Sequence, residues 1–395
     1  MPGLVNAHCH LELTVLRGFL EDLDFPRWIM RLNAVKRAVL DRNSLLDSAR
    51  FGLAEGIRHG ITTYADTCDS GVAFDAMLEA GVRGIMYQEV FGPDPAARDQ
   101  SLDELRDKLD ALRPRQNGLV RLGVSPHAPY TVSDALYSAV AEYAAAESPP
   151  LPVAVHIAES EVERQLVERG DGFFADGLRR RGIAVAARAR SSIDLLRRTG
   201  VLRRRPLLIH SVRLDREDIG LVAGSGSPVA HCPVSNAKLG HGVSPVLELV
   251  EAGVTIALGT DSVASNNRMD MFAEARAAIL AQRARVARHD ALCARDALLF
   301  ATLGGARALG IDSEIGSLDV GKSADLAAFP LDAHARPVHD PEAAAVFALP
   351  GTRASLVVVA GRELVRDGVL LWHDEALDQR IGDIERRMRD WALAN

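Results

Sequence analysis

The chain repeats one pattern eight times: a short apolar segment followed by a longer stretch with helical periodicity. The apolar segments fall at residues 3–8, 61–66, 83–90, 120–126, 153–157, 206–210, 227–231 and 255–261. Segments that are apolar nearly throughout are typical of parallel strands whose two faces are both covered. Eight such units within about 300 residues predict an α/β fold, a (β/α)8 TIM-like barrel. A doubly wound open sheet is the alternative, because the number of strands does not show whether the sheet closes.

The C-terminal part of the chain has a different pattern. Residues 353–372 predict short antiparallel strands, with turns at the Ala-Gly pair 360–361 and the Asp-Gly pair 367–368. The charged stretch 376–393 predicts a closing helix. We therefore predict two domains, residues 1–314 as the barrel and residues 315–395 as a small β appendage with a C-terminal helix.

Residues 316–323, GSLDVGKS, match the phosphate-loop pattern G-x-x-x-x-G-K-[ST]. That pattern holds phosphate only when a buried strand precedes it and a helix follows it. Here the preceding GIDSE is polar, and Pro330 interrupts the following segment before a helix of useful length could form. The match therefore predicts a turn leading into a strand, and a nucleotide-binding protein remains the weaker alternative.

Charge and cysteine content exclude several classes of protein. The formal net charge is −7, and the pI of about 6.0 argues against a surface that neutralises nucleic-acid phosphates. The four cysteines are scattered and form no CxxC pair, which suits reduced thiols. No apolar run is long enough for a membrane span, and the N-terminus has no signal-peptide pattern. These features predict a cytoplasmic protein with no membrane or nucleic-acid partner.

Histidine and aspartate side chains collect at the ends of the predicted strands. His8 and His10 are separated by one residue, so on a strand they face the same side. The other side chains at strand ends are His127, His156, His210, His231 and Asp261. Because barrel enzymes carry their catalytic groups at the C-terminal ends of the strands, we expect these side chains to share one rim. Nitrogen and oxygen donors of this kind suit zinc or ferrous iron.

Four motifs, taken in order, resemble the amidohydrolase superfamily of metal-dependent deaminases and hydrolases. They are PGLVNAHCHLE (2–12), HIAES (156–160), IHS (209–211) and LGTDS (258–262). SPHAPYTVS (125–133) and HCPVSNAKLGHGVSPV (231–246) resemble one branch, which contains methylthioadenosine/S-adenosylhomocysteine deaminases, aminodeoxyfutalosine deaminases and s-triazine chlorohydrolases. GSLDVGKSADLAAF (316–329) is similar to a stretch of the β-sandwich domain of that family.

The resemblance implies a site with one divalent metal ion, Zn²⁺ in the first place and Fe²⁺ as the alternative. Its ligands would be His8, His10, His156 and Asp261. Glu159 would protonate the ring nitrogen of the substrate, His210 and Asp261 would accept protons from the attacking water, and His127 would contact the substrate. From its position alone, Glu159 could instead be an idle charge at a helix N-terminus. For His231 the resemblance implies no chemical role, and we expect a packed side chain bonded to the backbone.

The predicted function is that of a metal-dependent hydrolytic deaminase, an enzyme that acts on carbon–nitrogen bonds other than peptide bonds. Attack by a metal-bound hydroxide would release ammonia from an aminated purine, a nucleoside-like molecule or a related heterocycle. The alternative in the same fold is a chlorohydrolase or another C–N or C–Cl hydrolase. A non-catalytic barrel would predict an incomplete ligand set, whereas all four ligands are present. The partner is a small molecule, and a homo-oligomer is possible.

Some features depart from the family pattern. Several dozen residues normally precede the HxH strand, which begins here at Gly3, so we expect an incomplete β-sandwich with an open edge and a start site placed too late, or a truncated chain. Residues 65–71 lack the glutamate that binds ribose in methylthioadenosine deaminases, and Asp69 is the candidate substitute. Arg213 stands where those deaminases often carry histidine. Glu12, in HLEL, favours the aminodeoxyfutalosine-like members.

Overall fold

The computed structural model describes residues 1–332, 335–372 and 374–395. Eight parallel strands form the barrel: β1 (Leu4–Cys9), β2 (Ile61–Cys68), β3 (Arg83–Val90), β4 (Val120–Pro126), β5 (Ala154–Ile157), β6 (Leu207–His210), β7 (Val229–His231) and β8 (Ile256–Leu258). All eight coincide with the predicted segments to within a few residues. Most of their residues are buried, as expected for strands covered on both faces.

The eight strands close into a barrel. β1 to β4 pair in order, and so do β5 to β8. One seam is joined by the parallel bridge between Val124 and Val153, and the other by the bridge between Cys9 and Asp261. At the second seam, the Asp261 N–H donates to the His8 carbonyl over 2.9 Å. The predicted (β/α)8 barrel is therefore confirmed, and the open doubly wound sheet is wrong.

Helices surround the barrel and cover the strands, and the main apolar core lies between the two layers. The helices are α1 (Phe25–Val39), α2 (Arg42–Arg58), α3 (Val72–Ala80), α4 (Arg98–Leu112), α5 (Asp134–Ala146), α6 (Glu161–Arg169), α7 (Gly172–Arg180), α8 (Ser192–Arg198), α9 (Arg216–Ser225), α10 (Pro233–Lys238), α11 (Val246–Glu251), α12 (Val263–Asn266), α13 (Met271–Val286), α14 (Ala294–Leu299), α15 (Gly305–Ala308), α16 (Pro341–Ala348) and α17 (Leu377–Ala394). Across the described ranges, none of the helices has both the length and the apolar character that a bilayer crossing requires.

The appendage is one antiparallel sheet in the order β12-β11-β10-β9, followed by α17. Its strands are β9 (Leu326–Ala328), β10 (Leu356–Val359), β11 (Arg362–Arg366) and β12 (Val369–Leu370). Both predicted turns are present: Ala360 and Gly361 have φ of 49° and 81°, and Asp367 and Gly368 have φ of 52° and 77°. Two consecutive positive φ values match the type I′ turn of tight hairpins, which the Ala-Gly and Asp-Gly pairs predicted.

The outer edge of β9 pairs with the first residues of the chain. Met1 and Ala327 exchange two backbone hydrogen bonds of 3.1 Å, and the Gly3 N–H donates to the Asp325 carbonyl over 2.9 Å. The expected open edge is therefore not found at β9, whose backbone groups have partners here. At the other end of the sheet, no strand of the described ranges pairs with the outer side of β12. The start-site hypothesis stays a prediction.

A buried arginine links the barrel to the appendage. Arg83, at the start of β3, donates through Nε to Asp325 over 2.9 Å and through Nη1 to Glu314 over 3.1 Å. Between these two acids, residues 316–323 form turns that lead into β9, as predicted, and Lys322 Nζ bonds the Ile315 carbonyl. The domain boundary after residue 314 stays a prediction.

Candidate active site

Four side chains from three strands meet at the C-terminal rim of the barrel. His8 lies in β1 and His10 follows that strand, His156 lies in β5, and Asp261 comes three residues after β8. His8 Nε2 lies 3.2 Å from Asp261 Oδ1, while His10 Nε2 lies 3.2 Å from His156 Nε2 and 3.6 Å from Asp261 Oδ1. These four residues, which the sequence predicted as metal ligands, are called the ligand cluster below.

The spacing and charge of the ligand cluster fit a divalent cation. Ligands placed tetrahedrally at 2.0–2.1 Å from a zinc ion are about 3.3–3.4 Å apart, close to the 3.2–3.6 Å measured between these atoms. Burial lowers the pKa of His10 to about 4, and burial also lowers the pKa of His8 and His156. Burial alone would raise the pKa of Asp261, but the bond to His8 and nearby histidines hold it well below its usual value. Three neutral imidazoles and one carboxylate are the protonation states that bind a metal.

Neighbouring polar groups fix the orientation of the ligand cluster. His10 Nδ1 lies 3.2 Å from the Thr67 hydroxyl, and His156 Nδ1 lies 3.3 Å from the His127 carbonyl oxygen. With one ring nitrogen held in this way, the other nitrogen is directed towards the centre of the cluster.

Two hydroxyl groups orient Asp261. Ser235 Oγ donates to Asp261 Oδ2 over 2.5 Å, and Ser265 Oγ donates to the same oxygen over 3.1 Å. Asp261 itself has a φ of 57°, in the left-handed region that non-glycine residues seldom adopt. Backbone strain of this kind accumulates at functional sites, where the surrounding contacts hold the residue in place.

Glu159 is buried immediately beside the ligand cluster. Its Oε1 lies 3.5 Å from His210 Nε2 and 3.2 Å from His241 Nε2. Burial by itself would raise the pKa of Glu159, but the attraction of His210 and then of His241 lowers it. His210 is oriented in turn by a 3.0 Å contact between its Nδ1 and Asn236 Oδ1.

The turn before α6 directs Glu159 inward. Ala158 has a φ of 51°, and the Glu163 carboxylate accepts the N–H groups of Ala158 and Glu159 over 2.8 and 3.2 Å. Ser160, not Glu159, is the N-cap of α6, and its hydroxyl accepts the Glu163 N–H. Glu159 therefore lies one residue before the N-cap, and its carboxylate lies beside His210 and His241. Its catalytic role stays a prediction.

Comparison with known proteins gives the family. A sequence model described as the amidohydrolase family matches residues 1–364. The chain belongs to the amidohydrolase family. The 5-methylthioadenosine/S-adenosylhomocysteine deaminase of Teredinibacter turnerae is 35% identical over 371 residues, which make up 93% of this chain and 79% of that protein. The predicted family, and the branch within it, are confirmed.

Solved structures of other amidohydrolases give the same result. A zinc-bound adenosine deaminase from Xanthomonas campestris has a TM-score of 0.87 and 32% identity, covering 99% of this chain and 86% of that chain. A zinc complex of an atrazine chlorohydrolase from Arthrobacter aurescens has a TM-score of 0.82 and 25% identity, covering 98% and 88%. Amidohydrolases bind a divalent metal ion, and zinc is present in both of these structures.

Two further histidines of this amidohydrolase lie at the same rim. His127 Nδ1 lies 2.7 Å from the Thr131 hydroxyl, and burial followed by the repulsion of His10 lowers the pKa of His127 to about 3. His231 is fully buried, and within the described ranges neither of its ring nitrogens has a hydrogen-bond partner. The backbone bond expected for His231 is therefore wrong: the end of β7 excludes water from the ring without offering it a backbone group.

The residues considered for substrate specificity occupy different environments. The Asp69 carboxylate, just after β2, is 40% exposed and accepts from Lys108 Nζ of α4 over 2.9 Å. Arg213 is exposed. Glu12 is buried and forms an ion pair with Lys36 of helix α1. Of these three residues, Glu12 is thus the buried one.

Aromatic rings form a wall along one side of the amidohydrolase site. The Tyr130 ring lies 5.7 Å from His127 and stacks on Phe174 at 4.1 Å. Phe25 of α1 contacts Phe174 at 6.2 Å and His241 at 4.6 Å. We call Phe25, Tyr130 and Phe174 the aromatic wall; it runs from the side chain predicted to contact substrate to the histidine beside Glu159.

Without metal, the protein is expected to lose stability as the pH falls from about 6.5 to about 4. The pKa of His10 is lowered from 6.5 to about 4 in the folded state, so the unfolded chain takes up the proton first. Each such histidine then lowers the free energy of unfolding by up to about 1.4 kcal/mol per pH unit in this window. Urea unfolding with a chelator at pH 7.5, 6.0 and 5.0 measures this change. A His10→Gln variant should show a smaller slope, and a stability that stays constant across the window would contradict the prediction.

Proposed function

We propose that this amidohydrolase is a metal-dependent hydrolytic deaminase that releases ammonia from an aminated purine, a nucleoside-like molecule or a related heterocycle. The observation that carries the proposal is the position of Glu159. Its carboxylate is buried, lies between His210 and His241, and adjoins a cluster with the geometry of a metal site. A buried carboxylate beside a hydrolytic centre is suited to transfer a proton to the leaving side of the substrate.

His8, His10, His156 and Asp261 would hold one ion, with Zn²⁺ favoured by the all-nitrogen-and-oxygen donor set and by the zinc in the related structures. When bound, zinc acts as a Lewis acid and lowers the pKa of coordinated water to about 7.

Proton transfer falls to three side chains. Two groups are placed to accept a proton that the attacking water gives up: Asp261, a member of the ligand cluster, and His210, whose ring centre lies 5.8 Å from that of His8. Glu159 is ionised at rest because of its lowered pKa, so it must take up a proton before it can donate one. His210 Nε2, at 3.5 Å, is placed to supply it. Glu159 then donates to the ring nitrogen next to the carbon under attack. The remaining proton of the added hydroxyl passes by way of Asp261 to the amine, and the C–N bond breaks to release ammonia as the carbonyl forms.

The aromatic wall and His127 support a flat heterocyclic substrate. Aromatic side chains stack on nucleobase-like rings with about 1–3 kcal/mol per base. His127 is neutral at pH 7, so it can exchange a hydrogen bond with a ring atom without placing a charge beside the ligand cluster. The relatives that carry deaminase names act on adenosine-like nucleosides, as their names state.

The alternative is a chlorohydrolase of triazine-like rings, favoured by the structural similarity to the atrazine enzyme. Its identity, 25%, is lower than the 35% and 32% of the deaminases. Glu159 also supports deamination, because an amine bound to an aromatic carbon leaves readily only once the ring nitrogen beside it has been protonated.

A screen for ammonia release tests the proposal. The zinc-loaded protein would be incubated with adenosine, methylthioadenosine, S-adenosylhomocysteine, aminodeoxyfutalosine, guanine and melamine, and chloride release would be followed with a chlorotriazine. We expect ammonia from at least one purine and a strongly preferred substrate among them. Chloride release without ammonia from any amine would replace the deaminase by the chlorohydrolase.

A further inference from the structure

A cavity of about 510 Å³ lies outside the barrel and shares no lining residue with the active site. It is open to solvent and bordered by Arg17, the last turns of α2, the loop 267–268, the segment 351–353 and the start of α17. Four arginines line it: Arg17, Arg58, Arg268 and Arg353. Two carboxylates, Glu55 and Asp378, are the acidic groups in its lining, so the cavity carries an excess of two positive charges in a chain whose net charge is −7.

Three of these guanidinium groups are not neutralised by an ion pair. Arg17 pairs with Glu55, whose carboxylate also accepts the Met269 N–H. In the ranges that the structure covers, no ion pair with a carboxylate is formed by Arg58, Arg268 or Arg353. Arginines that line a cavity and lack such a partner are well suited to bind an anion. Each planar guanidinium can donate two parallel hydrogen bonds to two oxygens of a carboxylate or phosphate.

The backbone holds the cationic groups together. The Ala354 N–H donates to the Arg58 carbonyl over 2.8 Å, which places Arg353 against the end of α2. Burial, and then repulsion from Arg353, lower the pKa of the Arg58 guanidinium. On the opposite side, Arg268 Nη1 lies 3.2 Å from the position that a Cβ on Gly351 would take, and Gly351 has a φ of 86°. A side chain at this position would therefore be strained and would crowd the guanidinium.

An apolar pocket continues from this cavity. Its own lining is mainly apolar, from Ala54, Leu370, Trp372 and Leu377, with the carboxylate of Asp374, which pairs with Arg380. It shares Phe51, Arg58 and Asp378 with the larger space. A ligand that fills both parts would carry negative charge at one end and a ring or another apolar group at the other.

We propose that this cavity binds an organic phosphate, with its phosphate groups on Arg58, Arg268 and Arg353 and its ring or apolar part against Phe51 and Trp372. A phosphate group is favoured over a single carboxylate because three guanidinium groups line the same cavity, and a phosphate group presents three oxygens to them. Because the cavity lies apart from the ligand cluster, binding there is distinct from the proposed deaminase reaction.

Calorimetric titration of the zinc-loaded full chain with inorganic pyrophosphate, and separately with ATP in the absence of magnesium, tests the site. We expect both to bind, ATP at least fivefold more tightly than pyrophosphate, with a change in tryptophan fluorescence. Arg58→Gln and Arg353→Gln should each weaken binding of both probes at least tenfold. Arg180→Gln, which removes an exposed arginine of α7, is the matched control and should leave binding unchanged.

Each result decides the proposal. If neither probe binds at millimolar concentration, or if the two cavity variants bind as tightly as Arg180→Gln, the site is excluded. ATP that binds no more tightly than pyrophosphate overturns the contact with Phe51 and Trp372. If Arg58→Gln fails to fold, Arg58→Lys replaces it in this comparison, because lysine keeps the charge but lacks the planar guanidinium. Zinc content and ammonia release are expected to be the same in all of these variants, so the outcome is independent of the deaminase proposal.

Discussion

Replacing Glu159 by glutamine is expected to lower kcat for deamination by about 10²–10⁴-fold, the range in which a positioned acid or base contributes. Glutamine keeps the shape of the side chain but cannot carry a proton from His210 to the substrate ring. Because the Oε1 atom of Glu159 also lies 3.2 Å from His241, the amide should preserve the local packing. The measurement is steady-state ammonia release with the preferred substrate, accompanied by metal analysis.

The matched control for this variant is Glu161→Gln. Glu161 lies two residues further along, in the first turn of α6, where its exposed carboxylate pairs with Arg164. We expect Glu161→Gln to retain kcat within about twofold, because exposed ion pairs contribute little. Zinc content should equal that of the wild type in both variants. Undiminished turnover by a zinc-loaded Glu159→Gln protein would remove Glu159 from the mechanism and, with it, the observation that carries the proposed function.

The barrel could be predicted because its pattern is local. Each strand is a short, largely apolar segment, and the hydrogen-bonded neighbours of such strands follow chain order. His8, His156 and Asp261 could be placed at one rim for the same reason. Closure could not be predicted, since it depends on contacts across the two seams, at Val124–Val153 and at Cys9–Asp261, which no local pattern specifies.

The sequence indicated less about the residues that surround the metal ligands. His241 and Asn236 were not singled out, although both lie in the motif HCPVSNAKLGHG. His241 reaches Glu159 from a loop, and Asn236 reaches His210 from α10, so their roles depend on how irregular segments fold back over the rim. A signal was present in the motif itself, where polar residues recur within an otherwise apolar stretch.

The backbone bond predicted for His231 failed for a related reason. Its ring is buried at the end of β7, and the groups that surround it there come from neighbouring strands and loops, which a local sequence pattern does not specify. The arginine-lined cavity could not be predicted from the sequence either. Its lining comes from five separate segments between Arg17 and Asp378, and each arginine taken alone resembles an ordinary surface residue.

Removal of the metal ion is expected to abolish measurable deamination, and added zinc is expected to restore it. Free water has a pKa near 15.7, whereas water coordinated to protein-bound zinc titrates near 7, a difference of about 12 kcal/mol in the cost of forming hydroxide. The side chains at this rim cannot replace that effect, because a general base contributes only about 3–5 kcal/mol. The measurement is ammonia release after dialysis against a chelator, followed by titration with Zn²⁺ and, separately, with Fe²⁺ under anaerobic conditions.

His156→Ala tests whether the ligand cluster is the place where this ion binds. His156 Nε2 lies 3.2 Å from His10 Nε2, and its loss leaves two imidazoles and one carboxylate. Because loss of an outer-shell partner already weakens metal binding by about 10–100-fold, loss of a direct ligand should weaken it by more than about 100-fold. Zinc at 100 times its Kd should stabilise the wild type by about 2.7 kcal/mol, and the variant should lose this rise in Tm. His289→Ala, which removes an exposed histidine after α13, is the control and should keep both zinc and activity. A His156→Ala protein that still binds one zinc tightly and turns over substrate would place the ion, and the chemistry that depends on it, elsewhere in the barrel.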